Sequence, residues 1–133
     1  WLVGCALNIS RLDIYLQFEK PSTQIELDIL HNYVVRRIKR EPLAYITKQC
    51  EFWSIQLDIG QGVLIPRSDT ETLVECALRY IPLDNNLEFN ILELGTGSGA
   101  IPLALSKERK NLNIITVEIS ADALYYAKKN IQK

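Results

Sequence analysis

The stretch that decides the fold is Asn90-Ile91-Leu92-Glu93-Leu94-Gly95-Thr96-Gly97-Ser98-Gly99-Ala100. A short apolar run ends in a carboxylate and then passes through three glycines into a helical pattern. Glycine tolerates positive φ and has no Cβ, so backbone amides in such a loop can approach a ligand closely. This order predicts a strand, a tight loop and a helix arranged around a nucleoside ligand.

A second strand is predicted at residues 113–117, and Glu118 follows it directly. A carboxylate at the end of that strand can accept hydrogen bonds from both hydroxyls of a ribose. The strand–helix–strand order implies a right-handed parallel crossover, as in Rossmann-like α/β domains. The glycine loop and Glu118 together predict a pocket for an adenosine-type ligand.

The spacing of the glycines distinguishes between nucleoside cofactors. Gly95, Gly97 and Gly99 follow the pattern Gly-x-Gly-x-Gly, whereas the dinucleotide fingerprint has its third glycine one residue later. S-adenosylmethionine (SAM) has no phosphate, and its amino group needs an acceptor that Glu93 is placed to supply. SAM is the favoured cofactor. A nicotinamide or flavin site and a glycine turn without a ligand are the alternatives.

Several motifs, in this chain order, carry a family resemblance. They are Arg36-Arg37, Glu41-Pro42-Leu43-Ala44-Tyr45-Ile46, Glu51-Phe52-Trp53, Val63-Leu64-Ile65-Pro66-Arg67-Ser68-Asp69-Thr70-Glu71 and Glu93-Leu94-Gly95-Thr96-Gly97-Ser98-Gly99. With them, nearly the whole chain resembles the HemK-type glutamine N5-methyltransferases that modify bacterial peptide chain release factors. The resemblance implies methyl transfer from SAM to the side-chain nitrogen of a glutamine, leaving S-adenosylhomocysteine.

The resemblance also implies which residues bind the cofactor. These are Glu93, Gly95, Thr96, Gly97, Ser98, Gly99 and Glu118, with Arg67 as a further candidate. The family's Asn-Pro-Pro-Tyr substrate motif is absent, so no catalytic residue is expected here and the motif is expected beyond Lys133. No metal site is expected. The family has glycine where this chain has Arg40 and Lys48, which puts the turns at those positions in doubt.

Three segments are predicted. Residues 1–48 form a helical N-terminal substrate-recognition domain, incomplete at its N-terminus, in which Thr23 and Glu26 make a capping box. Residues 49–67 form a β-hairpin linker with its turn at Gly60-Gln61-Gly62. Residues 68–133 begin the SAM-binding methyltransferase domain, truncated at its C-terminus, with a second capping box at Ser68 and Glu71 and a polar turn at 84–86.

Composition narrows the class of protein. The 133 residues are 47% hydrophobic and 23% charged, and the net charge of −1 gives no general attraction to nucleic acid. No apolar run approaches the roughly 20 residues that span a bilayer. Three widely separated cysteines favour neither a disulfide framework nor a metal cluster, and they suit a reducing cytoplasm. Methionine is absent, and the chain ends in a helical pattern, so a piece of a longer protein is expected. A monomer is also expected.

Alternative functions stay open at this point. One is a glutamine methyltransferase acting on a ribosomal protein, although Asp69-Thr70-Glu71 favours the release-factor type. Others are a nucleic-acid adenine methyltransferase, which the net charge disfavours, and a non-catalytic nucleotide-binding module.

Overall fold

The predicted strand–loop–helix–strand unit is present in the computed structural model, which describes residues 1–83 and 87–133. Strand β3 (Phe89–Leu94) leads through the glycine loop into helix α6 (Ala100–Glu108) and then into strand β4 (Leu112–Val117). The two strands are parallel, with Glu93 opposite Thr116 and Leu94 opposite Val117. The α/β fold class is therefore confirmed. The polar turn predicted at 84–86 lies outside the described residues.

The chain divides into two compact units, residues 1–47 and 48–133. The first unit is helical, as predicted. Its helices are α1 (Leu2–Leu7), α2 (Arg11–Leu16), α3 (Gln24–Ile38) and α4 (Leu43–Thr47). The second unit holds the remaining elements. They are β1 (Gln49–Phe52), β2 (Ile55–Asp58), α5 (Asp69–Tyr80), β3, α6, β4 and α7 (Ala121–Ile131).

Helix α3 of the first unit begins and ends as its sequence indicates. The Thr23 hydroxyl accepts from the Glu26 amide, and the Glu26 carboxylate accepts from the Thr23 amide at 2.6 Å, which is the predicted capping box. Near the other end, Arg36 makes a two-pronged contact with Glu41 and also donates to the Tyr45 carbonyl at 3.1 Å. Arg36 therefore ties α3 to α4, and its charge has a structural role within the unit.

The hairpin is present, but the predicted position of its turn is wrong. Strands β1 and β2 pair antiparallel with Phe52 opposite Ile55, so the turn is Trp53-Ser54. Both turn residues have positive φ, 52° and 53°, which is the backbone of a two-residue type I′ turn. No glycine marks it, because contacts from distant helices hold the two residues in the left-handed region.

The glycines assigned to that turn have another role. A Cβ on Gly60 would lie 1.8 Å from the Tyr126 hydroxyl oxygen, and a Cβ on Gly62 would lie 2.7 Å from Asp122. Gly62 also has a φ of 91°. The segment after β2 therefore passes so close to α7 that only glycine fits.

The predicted capping box at Ser68 and Glu71 is also wrong. Ser68 already has helical dihedrals and its side chain makes no cap hydrogen bond. Oε1 of Glu71 instead accepts from the backbone N–H of Trp53 at 2.8 Å. A local motif thus gives way to a partner 18 residues away in sequence.

The strand pair β3–β4 has two different faces. Alternate residues are half-buried on one face, whereas the other carries exposed apolar side chains. The exposed set is Leu92, Leu94, Ile115 and Val117. Among the described residues, no helix is both long enough and apolar enough to cross a membrane.

Candidate cofactor-binding site

The glycine loop lies at the carboxyl ends of β3 and β4 and is fastened to β4. The Val117 carbonyl accepts hydrogen bonds from the backbone amides of Gly95 at 2.7 Å and Thr96 at 3.2 Å. The Gly99 amide then donates to the Thr96 carbonyl at 2.9 Å, which closes the loop before α6 begins. Ligands of open α/β sheets bind at this edge, outside the carboxyl ends of the strands.

All three loop glycines have left-handed backbone. Their φ angles are 77° at Gly95, 59° at Gly97 and 80° at Gly99. A Cβ added to Gly95 or Gly97 would meet nothing within 4 Å, whereas one on Gly99 would contact Ala127 at 3.5 Å. The first two glycines therefore border open space, into which a ligand can fit against the backbone. The third faces the protein.

Glu118 closes the loop from the β4 side. Its Oε2 accepts from the Gly97 amide at 2.8 Å and its Oε1 accepts from the Ser120 amide at 2.9 Å. These donors, Ser120 first and Gly97 second, hold the pKa of Glu118 below its usual value. A carboxylate has about four acceptor positions, so Glu118 keeps capacity for the hydroxyls of a ribose.

Glu93 is the half-buried carboxyl on the opposite side of the loop. Burial raises the pKa of Glu93, the charge of Glu118 adds to the effect, and the nearby Thr96 hydroxyl opposes it. Oε2 of Glu93 and the hydroxyl oxygen of Thr96 are both buried, and neither reaches hydrogen-bond geometry with any described group. The Thr96 hydroxyl lies close enough to Glu93 to lower its pKa, and a carboxylate has further acceptor positions. Buried polar atoms without full hydrogen bonding are unusual in folded proteins, and the remaining capacity of Glu93 suits a ligand that donates hydrogen bonds.

The site combines two carboxylates with loop backbone that is open beside Gly95 and Gly97. Two carboxylates end adjacent parallel strands and interact with each other. An ammonium group beside Glu93 would relieve that repulsion and fill its empty acceptor position. The arrangement suits a ligand that combines hydroxyl and ammonium donors and has no phosphate.

The other predicted site residues have different surroundings. Ser98 is only 2% exposed, and its carbonyl accepts from Nδ2 of Asn130 at 2.9 Å. Arg67 is exposed just before α5, and the hydrogen bonds and ion pairs of the described residues do not connect it to the loop. Arg67 therefore remains a prediction.

Sequence reasoning missed Asn130, which is 3% exposed in α7. Its partners lie 32 and 72 residues away, so no local pattern could have identified it. Within residues 1–83 and 87–133, no group of His, Cys, Asp or Glu side chains is arranged to hold a metal ion.

Comparisons with known proteins show the family of the chain. Residues 52–133 match the model of the methyltransferase small domain, and residues 1–47 match the model of the PrmC N-terminal domain. The chain is 42% identical over 132 residues to a release factor glutamine methyltransferase of Coxiella burnetii, covering 99% of this chain and 47% of that protein.

Two further relatives carry the same name. The protein of Geobacter sulfurreducens is 39% identical over 133 residues, covering 100% of this chain and 45% of its own length. The protein of Buchnera aphidicola is 42% identical over 130 residues, covering 97% of this chain and 46% of its own length. The chain thus spans about half the length of the curated relatives it matches.

Proposed function

Because the chain belongs to the methyltransferase small domain family and begins with a PrmC N-terminal domain, we propose that the complete gene product methylates the side-chain amide nitrogen of a glutamine in a peptide chain release factor. The methyl donor is SAM and the product is S-adenosylhomocysteine. The names of the relatives support the substrate. The observation that carries the cofactor is the half-buried Glu93 carboxylate, whose Oε2 reaches hydrogen-bond geometry with no described group, beside an open glycine loop.

The residues that would hold SAM divide its donors between two carboxylates. Glu93 would accept from the amino group, since its Oε2 lacks a partner. Glu118 would accept from the ribose hydroxyls with the acceptor capacity that the backbone amides of Gly97, Ser120 and Ile119 leave free. The backbone from Gly95 to Gly99 would lie against the nucleoside, and Ser98 would support it from below.

The chain's own contribution to the reaction is binding and orientation. When bound, SAM supplies a methyl group activated by its sulfonium centre. An amide nitrogen is a weak nucleophile, so its alignment with that methyl group must be accurate, and alignment can contribute roughly 7–11 kcal/mol. The described residues fix the cofactor side of that alignment. Glutamine binding is assigned to the family's Asn-Pro-Pro-Tyr motif. Residues 1–48 would recognise the protein substrate, and the reaction would take place in the cytoplasm.

Mass spectrometry tests this proposal. A release factor incubated with SAM and the complete gene product should gain one methyl group, located on a glutamine by fragmentation. Glu118→Ala should abolish or strongly slow the gain, whereas Glu75→Ala, which removes an exposed carboxylate of α5, should not. A release factor that stays unmodified with folded, SAM-binding protein would refute the substrate. Failure to bind S-adenosylhomocysteine would refute the cofactor.

A further inference from the structure

The side chain of Asn130 joins three parts of the second unit at one buried point. Its Oδ1 accepts from the Asp58 amide at 2.7 Å, and its Nδ2 donates to the Asp58 carbonyl at 3.1 Å. The same Nδ2 donates to the Ser98 carbonyl at 2.9 Å. The carboxamide of Asn130 thus bonds to both backbone groups of Asp58 in β2, as a neighbouring strand would. Its second N–H bonds to the glycine loop.

The hydrogen bonds of Asn130 are well protected. Asn130 is 3% exposed and Ser98 is 2% exposed, so water cannot readily replace either partner. Nearby ion pairs add to the attachment of α7, since Lys129 and Lys133 contact the Asp58 carboxylate at 3.1 Å and 2.8 Å. Burial would raise the pKa of Asp58, but hydrogen bonds from Lys133 and Lys129 outweigh it and hold that pKa below its usual value.

The position of Ser98 makes this contact relevant to the cofactor site. Ser98 lies between Gly97, which borders open space, and Gly99, which begins α6. A loop with three left-handed glycines has many alternative conformations. The contact from Asn130 fixes its buried side, while the opposite side stays free for a ligand.

We propose that Asn130 is a positioning residue for cofactor binding, which fixes the glycine loop by tying the Ser98 carbonyl to strand β2. This inference rests on the proposed function for its ligand, SAM. It goes beyond that function because it makes cofactor affinity depend on the hairpin through one side chain outside the binding loop.

The test compares Asn130→Asp with two controls in the complete gene product. The aspartate keeps the size of the side chain but faces two carbonyls without an N–H to donate. Asn113→Asp makes the same change at an exposed site, where Nδ2 donates to Asn90. Val74→Ala removes buried side-chain volume from α5 and supplies a variant of lowered stability whose substitution lies outside the glycine loop.

Asn130→Asp should weaken binding of S-adenosylhomocysteine by about tenfold, the effect of leaving the buried Ser98 carbonyl of the loop without its donor. Both controls should bind as wild type, with Val74→Ala showing that lowered stability alone does not reduce affinity. In the methylation assay, KM for SAM should rise while kcat at saturating SAM stays within about twofold. Equal affinity in wild type and Asn130→Asp would overturn the proposal.

Amide hydrogen exchange separates this inference from the proposed function. In Asn130→Asp the Gly97 and Gly99 amides should exchange faster than the core amides, whereas Val74→Ala should accelerate exchange without singling out the loop. If wild type does not bind S-adenosylhomocysteine, the proposed function fails, and loop exchange alone decides the role of Asn130. Unchanged exchange at Gly97 and Gly99 overturns it. Should Asn130→Asp not fold, Asn130→Ser replaces it in both measurements.

Discussion

Two turns of the second unit have left-handed backbone, one built from glycines and the other from residues with side chains. The glycine loop uses Gly95, Gly97 and Gly99, with φ between 59° and 80°, whereas the hairpin turn uses Trp53 and Ser54, with φ of 52° and 53°. A residue other than glycine costs roughly 1–2 kcal/mol in this region. The hairpin turn bears that cost because the surrounding helices hold it, whereas the glycine loop avoids it and leaves open space beside Gly95 and Gly97.

Their hydrogen bonding differs in the same way. The Trp53 amide donates to Glu71 and its indole N–H donates to Glu108, both at 2.8 Å. Lys107 donates to the Trp53 and Ser54 carbonyls at 3.2 Å each. In the hairpin turn the protein satisfies its own polar groups. At the glycine loop, Glu93 and Thr96 keep unpartnered oxygens. The two turns therefore differ in how far the protein's own groups satisfy their hydrogen bonds.

The largest expected effect comes from making the glycine loop resemble the hairpin turn. Gly97→Val puts a β-branched residue at a φ of 59° and should lower the free energy of unfolding by roughly 1–2 kcal/mol and abolish binding of S-adenosylhomocysteine. Gly97→Asn tolerates this backbone, so it should fold normally and lose binding alone. Urea unfolding and calorimetric titration measure the two effects. Normal binding by Gly97→Asn would mean that the ligand does not approach this glycine.

The reverse change removes a contact that holds the hairpin turn. Glu71→Ala leaves the Trp53 amide without its acceptor and should cost about 1–3 kcal/mol of stability, with no change in affinity for S-adenosylhomocysteine. Glu75→Ala on the exposed side of the same helix is the matched control and should be nearly neutral. A loss of affinity in folded Glu71→Ala would show that the two turns are coupled.

A third variant tests whether Glu93 is reserved for a ligand. Glu93→Gln should raise the free energy of unfolding at pH 7 by about 0.5–2 kcal/mol and weaken binding of S-adenosylhomocysteine. Folding raises the pKa of Glu93, chiefly by burial, so the folded state binds more protons than the unfolded state in the window above 4.5. Stability contributed by Glu93 therefore falls as pH rises through that window.

The pH dependence supplies the control for this variant. Below pH 4.5, where Glu93 is protonated in both states, the stabilisation by Glu93→Gln should disappear. Wild-type affinity should fall as pH drops through the raised pKa of Glu93, because the ammonium loses its carboxylate, and the variant should show no such step. A destabilised variant at pH 7 would contradict the assignment of Glu93 as an unpartnered acid.

The smallest effects are expected at two further left-handed residues, Arg40 and Lys48, with φ of 65° and 60°. Glycine relieves the backbone strain but makes the unfolded chain more flexible, so Arg40→Gly and Lys48→Gly should each stabilise by up to about 1 kcal/mol. Lys39→Gly, at a φ of −75°, should destabilise instead. Thermal unfolding distinguishes the three. Destabilisation by either of the first two would show that their side chains contribute more than the strain costs.

Part of the fold could be predicted from the sequence, and part could not. The β3–loop–α6–β4 unit could be predicted because its apolar pattern, glycines and strand-end carboxylates all lie within about thirty residues. The family's glycines at 40 and 48 are missing, yet the turns persist with positive φ. Sequence alone could not establish this, because without glycine no local residue marks a left-handed backbone position.

Errors arose where a distant partner decides a local structure. Gly60 and Gly62 indicated a turn, but their close neighbours are Tyr126 and Asp122 of α7. Glu71 completed a capping pattern, but the Trp53 amide takes its carboxylate. Asn130 gave no signal at all, since its role exists only once β2 and the glycine loop are adjacent.

The hydrogen-bonded indole of Trp53 also gives the second unit an optical signal of its own. The sequence has two tryptophans, and the other, Trp1 in the first unit, is 62% exposed and already surrounded by solvent. Replacing Trp1 with phenylalanine would leave Trp53 as the one tryptophan, with its indole N–H donating to Glu108 and its backbone amide donating to Glu71 at the hairpin turn. Release of that turn would shift its emission to longer wavelengths, so unfolding of this unit could be followed by fluorescence without any attached dye.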